Sequence, residues 1–258
     1  MNIKELFMAL DDCVPESTAT DWDKSGPQIV FPEQEVTRIL TTLDVLPRVV
    51  EEAISKDCQV ILSHHPLFFT RFGCLDMGKP KDIMILNVLD HRISVYSAHT
   101  NYDIASGGTT DYLAKQLSLL KVHEIPGSDG FAKAGILPRK MRLDEFVEYT
   151  CEATGTPVSD VRFVGNSDSP VLKVGICAGS GSEFAFAAVK DRCDVFLTGD
   201  LKYHLAQDCV LTGINLVDIG HYHSEKHFST EAAVLYGKYI ENVEFIPSEI
   251  DIDPFSVL

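Results

Sequence analysis

Apolar residues recur along this chain with two alternating periods, one helical and one extended. NIKELFMALDDCV has the spacing of an amphipathic helix, VTRILTTLDV reads as a strand, and LPRVVEEAISKD is helical again. CQVILSHHP is a short buried strand running into a polar end. KPKDIMILNVLDHR then reads as a helix, ISVYSAHTNYD as a strand and GTTDYLAKQLSLL as a helix. KVHEIPGSDGFAKAGILP breaks the rhythm with Pro and Gly and is the expected junction. Beyond it the alternation resumes, with helices in RLDEFVEYTCEA, SEFAFAAVK, LKYHLAQDCV and SEKHFSTEAAVLYGKYI. The strands between and after them are VLKVGICAG, DVFLTGD, INLVDIGHYH and VEFIPSEI. This pattern predicts an α/β protein with mixed, largely parallel sheets. Two repeats are expected, residues 1–125 and 126–258, because the halves echo each other. A strand ending in Ser63-His64-His65-Pro66 answers one ending in Thr198-Gly199-Asp200. The next strand ends in Ala98-His99-Thr100-Asn101 in the first half and in Gly220-His221-Tyr222-His223 in the second.

Polar residues therefore collect at the C-terminal ends of four buried strands, the edge where open α/β sheets bind ligands. His64, His65, His99, His221 and His223 all fall there. Adjacent side chains of an extended chain point to opposite faces. His64 and His65 reach one cavity only if the strand ends and turns, as Pro66 suggests, and such a pair can serve two metal ions, one imidazole each. Alone, the same pair is an ordinary strand end. Asp103 lies four residues beyond His99, where a turn can fold its carboxylate back to the same crevice. GHYHSEKH holds two i,i+4 pairs, His221/Glu225 and His223/His227. On a helix each pair shares a face, and the two lie on roughly opposite faces, so at most one looks into the crevice. Charge favours the pair with the carboxylate without deciding the matter, and the other would be a solvated face. Asp200 and His204 form a third pair of this spacing, equally readable as an N-cap and a surface histidine.

Imidazole and carboxylate without thiolate suit two divalent ions drawn from Zn, Fe, Mn, Co or Ni. Two such ions against two carboxylates leave a local positive charge that draws in small anions, phosphates above all. Water bound there ionises near a pH of about 7. His99 and His204 are the candidates for general acid or base, since imidazole titrates near neutrality.

Composition narrows the partners. The formal charge of −16, with no Lys/Arg run, disfavours a nucleic-acid backbone. No apolar run approaches the roughly 18–20 residues of a membrane span, and the acidic, helical N-terminus makes a poor signal peptide. Seven widely spread cysteines without a CxxC pair argue against a disulfide framework or a zinc ribbon and read as small core residues in a reducing compartment. A cytoplasmic protein is expected. GSGS at 179–182 lacks a following Lys and is no P-loop.

SHHPLFF, AHTNYD, TGDLKYH and GHYHSE, in this order, resemble the Nif-three-like family, whose members commonly carry the name GTP cyclohydrolase 1 type 2 homologue. DWDKSGPQIVF near the N-terminus and DPF near the end extend the likeness over nearly the whole chain. Lys24, Ser25 and Pro27 depart from the family pattern in the first of these. The resemblance implies a dinuclear metal centre held by His64 and His65, by Asp103, and by His221 and Glu225, which selects His221/Glu225 over His223/His227. It further implies two intertwined α/β repeats, the short form without an extra central domain, and a homo-oligomer, a toroidal hexamer with metal sites facing an inner cavity. A metal-dependent hydrolase of a small phosphorylated or nucleotide-like substrate is the expected function. The alternative is a non-catalytic metal-binding or regulatory scaffold.

Overall fold

The first helical pattern is realised as α1 (Ile3–Cys13), in a computed structural model describing residues 1–69 and 73–256. Asn2 starts the helix by accepting hydrogen bonds from the Lys4 and Glu5 amides, while Glu5 reaches back to the Asn2 amide. The remaining helices are α2 (Pro47–Ser55), α3 (Pro80–Asp90), α4 (Thr100–Ile104), α5 (Thr109–Gln116), α6 (Leu143–Thr154), α7 (Ala185–Lys190), α8 (Tyr203–Thr212), α9 (His221–Glu225) and α10 (Phe228–Gly237). The strands are β1 (Gly26–Ile29), β2 (Arg38–Thr42), β3 (Val60–Ser63), β4 (Ser94–Ser97), β5 (Leu120–Glu124), β6 (Lys133–Arg142), β7 (Arg162–Val164), β8 (Pro170–Ile176), β9 (Val195–Thr198), β10 (Asn215–Asp218) and β11 (Glu244–Pro247).

The chain divides into two compact units. One comprises Met1–Ala105 with His227–Pro254, and the other is built on Ser106–Lys226. The first holds a five-stranded sheet in the order β1-β4-β3-β2-β11. β4, β3, β2 and β11 run parallel, and β1 closes one edge antiparallel to β4. Every residue of β3 and β4 is buried, as expected of parallel strands covered on both faces. Leu40, Ile61 and Val95 of the sheet pack with Val49, Val50 and Ala53 of α2 and with Met84, Ile85 and Val88 of α3.

The second unit holds six strands in the order β5-β6-β8-β9-β10-β7. Its centre, β8-β9-β10, is parallel, and its edges are antiparallel. Leu113 and Leu117, with Phe146 and Val147 of α6, pack with Val174, Ile176, Val195, Leu197 and Val217 in one cluster. Ala185 and Ala188 of α7, Cys209 of α8, and Phe196 and Leu216 form another.

The division differs from the expected 125/126 boundary. α10 and β11 return from the C-terminal part of the chain to complete the first sheet, while α5 packs with α6 and β6 of the second unit. The expected junction at 121–138 is a β-hairpin, β5 and β6, whose Gly127, Asp129 and Gly130 take positive φ in the connection. The edge strands β1 and β7 carried no strand pattern. Two expected strands stop early: HTNYD and HYHSE fold as α4 and α9 instead of extending β4 and β10. Among the described residues the seven cysteines are free thiols, five of them buried. No described helix is long and apolar enough to cross a membrane.

Candidate metal site

In the first unit, the end of β3 is bent by its own hydrogen bonds. The His64 and His65 amides donate to the Thr42 and Leu43 carbonyls, and Ser63 Oγ turns back onto the His65 carbonyl at 2.8 Å. The two imidazoles lie with ring centroids 5.0 Å apart and offer ligand atoms within 4.8 Å of each other. His64 is fully buried, packed against Phe228 of α10 at 4.9 Å. At the end of β4, His99 caps α4, and one helical turn carries Asp103 back, its amide donating to the His99 carbonyl. Asp103 Oδ1 reaches 3.4 Å from His64 Nε2. His64, His65 and His99 each offer a ligand atom within 4.8 Å of the other two.

Each ring in this unit is steered from behind. His64 Nδ1 donates to the Ala98 carbonyl at 2.8 Å, His65 Nδ1 to Asp44 at 2.9 Å and His99 Nδ1 to Asp23 at 2.7 Å. Asp23 is a knot in its own right. It also accepts from Ser25 Oγ and from the amide and hydroxyl of Thr100. Burial works to raise its carboxyl, but the bonds from His99, Thr100 and Ser25 outweigh this and hold it well below the usual carboxylate range. Asn101 of HTNYD points away, bridging Ser25 Oγ and the Val14 carbonyl.

In the second unit, β10 ends at Asp218, whose carboxylate accepts from the Gly220 and Leu201 amides and so joins two strand-end loops. Gly220, at φ 79, starts α9. That single turn of helix puts His221 Nε2 3.0 Å from Glu225 Oε2, and His221 Nδ1 is held by Asp200 at 2.8 Å. The GSGS loop forms a cradle here. The Gly179 amide donates to Ser224 Oγ, and a Cβ on Gly179 would lie 2.1 Å from Glu225 Oε1. The backbone approaches the carboxylate closely because no side chain intervenes.

These contacts fix the chemistry of the donors. A carbonyl only accepts, so the proton of a neutral His64 ring sits on Nδ1, and Nε2 presents a lone pair toward Asp103. The carboxylate of Asp200 does the same for His221 toward Glu225. Lone pairs so placed repel unless a cation lies beside both atoms or the ring takes a second proton. Two donors each about 2.1 Å from one ion stand about 3.0–3.4 Å apart at octahedral to tetrahedral angles. Both pairs fall in that interval. Imidazoles backed by carboxylate or carbonyl are the usual surroundings of metal-binding histidine. The residues fit a divalent ion.

The i,i+4 pairs now separate. His223 is buried and donates to Asp160 at 3.0 Å, so it is no solvated face. His204 is exposed on α8 beside Tyr203. Asp200, read as either a partner of His204 or an N-cap, leaves the N-cap position to Lys202 and holds His221 Nδ1. Sequence reasoning missed Asp23, Asp44 and Gly179. DWDKSG and GSGS were visible as motifs, whereas Asp44 carried no signal.

Fold and side-chain groups together define an α/β protein able to hold a metal ion. The chain belongs to the DUF34/NIF3 family (NGG1p interacting factor 3), which it matches over residues 1–254. It is 30% identical, over 100% of both chains, to a Clostridium perfringens protein named GTP cyclohydrolase 1 type 2 homolog. A Bacillus subtilis protein of the same name is 24% identical, covering 100% of this chain and 99% of the relative. That alignment runs over 371 positions, so the relative carries segments with no counterpart in these 258 residues. Among solved structures, a Staphylococcus aureus hypothetical protein superposes with a TM-score of 0.93 at 29% identity, covering 100% of this chain and 99% of that one.

Proposed function

We propose that this protein binds two divalent metal ions in a dinuclear centre, through His64, His65, Asp103, His221 and Glu225, and hydrolyses a small phosphorylated or nucleotide-like substrate. The observation that carries this reading is the pair of Nδ1-anchored imidazoles, His64 and His221, each with Nε2 facing a carboxylate. The name shared by the Clostridium and Bacillus relatives supports a nucleotide-like substrate. Bound ions would supply Lewis-acid polarisation of an anionic substrate's oxygen. The chain's own part is to hold the five donors, with Asp44 and Asp200 keeping His65 and His221 in the ligating tautomer. Asp23 fixes His99 beside His64 and His65 with Nε2 as a hydrogen-bond acceptor available to a bound substrate. A toroidal hexamer, as the family resemblance implies, belongs to this reading.

A second reading, a non-catalytic metal-binding scaffold, draws on the family's description as an interacting factor. One experiment separates them. Protein loaded with Mn, Fe or Zn is assayed for bound metal and for turnover of a panel of phosphoesters and purine nucleotides. The hydrolase reading expects two ions per chain and turnover that an Asp103→Ala, Glu225→Ala double variant loses. Metal uptake without turnover supports the scaffold, and turnover unchanged in the double variant overturns the proposed mechanism.

A further inference from the structure

The loop before β1 and the loop after β3 each bring an aromatic ring to the same place. Trp22 is 59% exposed and Phe69 is 49% exposed, and what sets them apart from other exposed apolar side chains is that they lie together. Their ring centroids are 6.2 Å apart, and the planes are tilted by 36°. Both meet His99 edge-on, Trp22 at 6.0 Å and Phe69 at 5.5 Å. Trp22 is the neighbour of Asp23, the residue that takes the His99 Nδ1 proton as a hydrogen bond and leaves Nε2 as the acceptor. His99 in turn stands with His64 and His65. Two exposed π faces thus border a ring with a fixed hydrogen-bond acceptor, next to the group of imidazoles suited to a cation.

We infer that Trp22 and Phe69 form a stacking platform for a flat heteroaromatic ring bearing an N–H edge, a purine-type base, with that edge donating to His99 Nε2. This deepens the hydrolase reading by naming the part of the substrate that lies outside the metal centre, and it rests on that reading for the phosphate end. Stacking suits the place because every base offers a π face, and its contribution falls at the ring and not at the phosphate.

Trp22 is the single tryptophan, so its fluorescence reports this platform alone. Metal-loaded and chelator-treated protein are titrated with adenosine and guanosine monophosphates, the free nucleosides, ribose 5-phosphate and inorganic phosphate, following Trp22 fluorescence and, for variants, calorimetry. The monophosphates are expected to quench Trp22 and to bind at least tenfold more tightly than ribose 5-phosphate. Phe69→Ala is expected to weaken them about fivefold or more while leaving ribose 5-phosphate unchanged, and Trp22→Phe, which keeps a ring, to weaken them less than Trp22→Ala. Both positions are exposed, and matching melting curves confirm that the variants fold. Equal affinity for nucleotide and ribose 5-phosphate, or an unaltered nucleotide affinity in Phe69→Ala, overturns the inference. Nucleoside binding that survives chelation, alongside absent metal uptake, would fail the hydrolase reading and leave the platform standing.

Discussion

At φ +63, with the place a Cβ would take only 2.1 Å from Glu225 Oε1, Gly179 leaves room for a carboxylate that any side chain would displace. Gly213 makes a control, with φ +80 at the end of α8 and nothing within 4 Å of its Cβ position. Gly213→Ala should cost only the left-handed backbone penalty, about 1–2 kcal/mol. Gly179→Ala adds the clash, a further cost of about 1–3 kcal/mol, and should reduce metal uptake, which Gly213→Ala leaves intact. Urea midpoints and elemental analysis of the two variants check this, and equal losses would show that Gly179 acts through its backbone alone. The residue scale is also where the sequence speaks and falls silent most sharply. The strand-end place of His64 and His65 and the i,i+4 spacing of His221 and Glu225 were legible because both are local. Spacing alone left His223/His227 as an equal candidate, and only the family resemblance chose between the pairs. The partner of each imidazole was not legible, because Asp44 reaches His65 and Asp200 reaches His221 across 21 positions of chain, through pairing that no local pattern records.

Elements were legible where burial is two-sided or amphipathic. β3, β4, β9 and β10 are short apolar runs at the buried middle of their sheets, and α1 and α2 show one apolar face. The edges were not. β5 is exposed at every residue, β1 consists of GPQI, and Pro and Gly in the β5–β6 region read as a junction although they make a hairpin. An edge strand pairs through its backbone, which composition does not show. The loop at 20–25 belongs to this scale too, since Asp23 ties it to α4 through Thr100 and His99. Its carboxyl lies below the ordinary value of 3.8 in the folded chain. The stabilisation is therefore fully present above a pH of about 4 and is lost as the pH falls toward the folded value. Asp23→Asn should cost about 1–3 kcal/mol near neutrality, and the gap to the parent protein should narrow at pH 3. Urea melts at pH 7, 4 and 3 measure it, and a gap that stays constant would show that the charge is irrelevant.

Across the whole molecule, each unit has a core of its own, centred on Leu40, Ile61 and Val95 in one and on Val174, Leu197 and Val217 in the other. These clusters are built of apolar side chains alone, so a bound metal would add stability to units whose cores pack without it. Against a net charge of −16, cations also offset a self-repulsion that the chain otherwise bears. A ligand present at 100 times its Kd stabilises the folded state by about 2.7 kcal/mol, which for a protein of this size moves Tm by about 5–10 °C. Chelator treatment of metal-loaded protein should lower Tm by that order and leave the far-ultraviolet circular dichroism unchanged at 25 °C. In Asp103→Ala, Glu225→Ala protein the chelator should shift nothing. Loss of helical signal on chelation would mean that the ions organise the fold itself, and an equal shift in the double variant would place the bound metal elsewhere than at His64, His65 and His221.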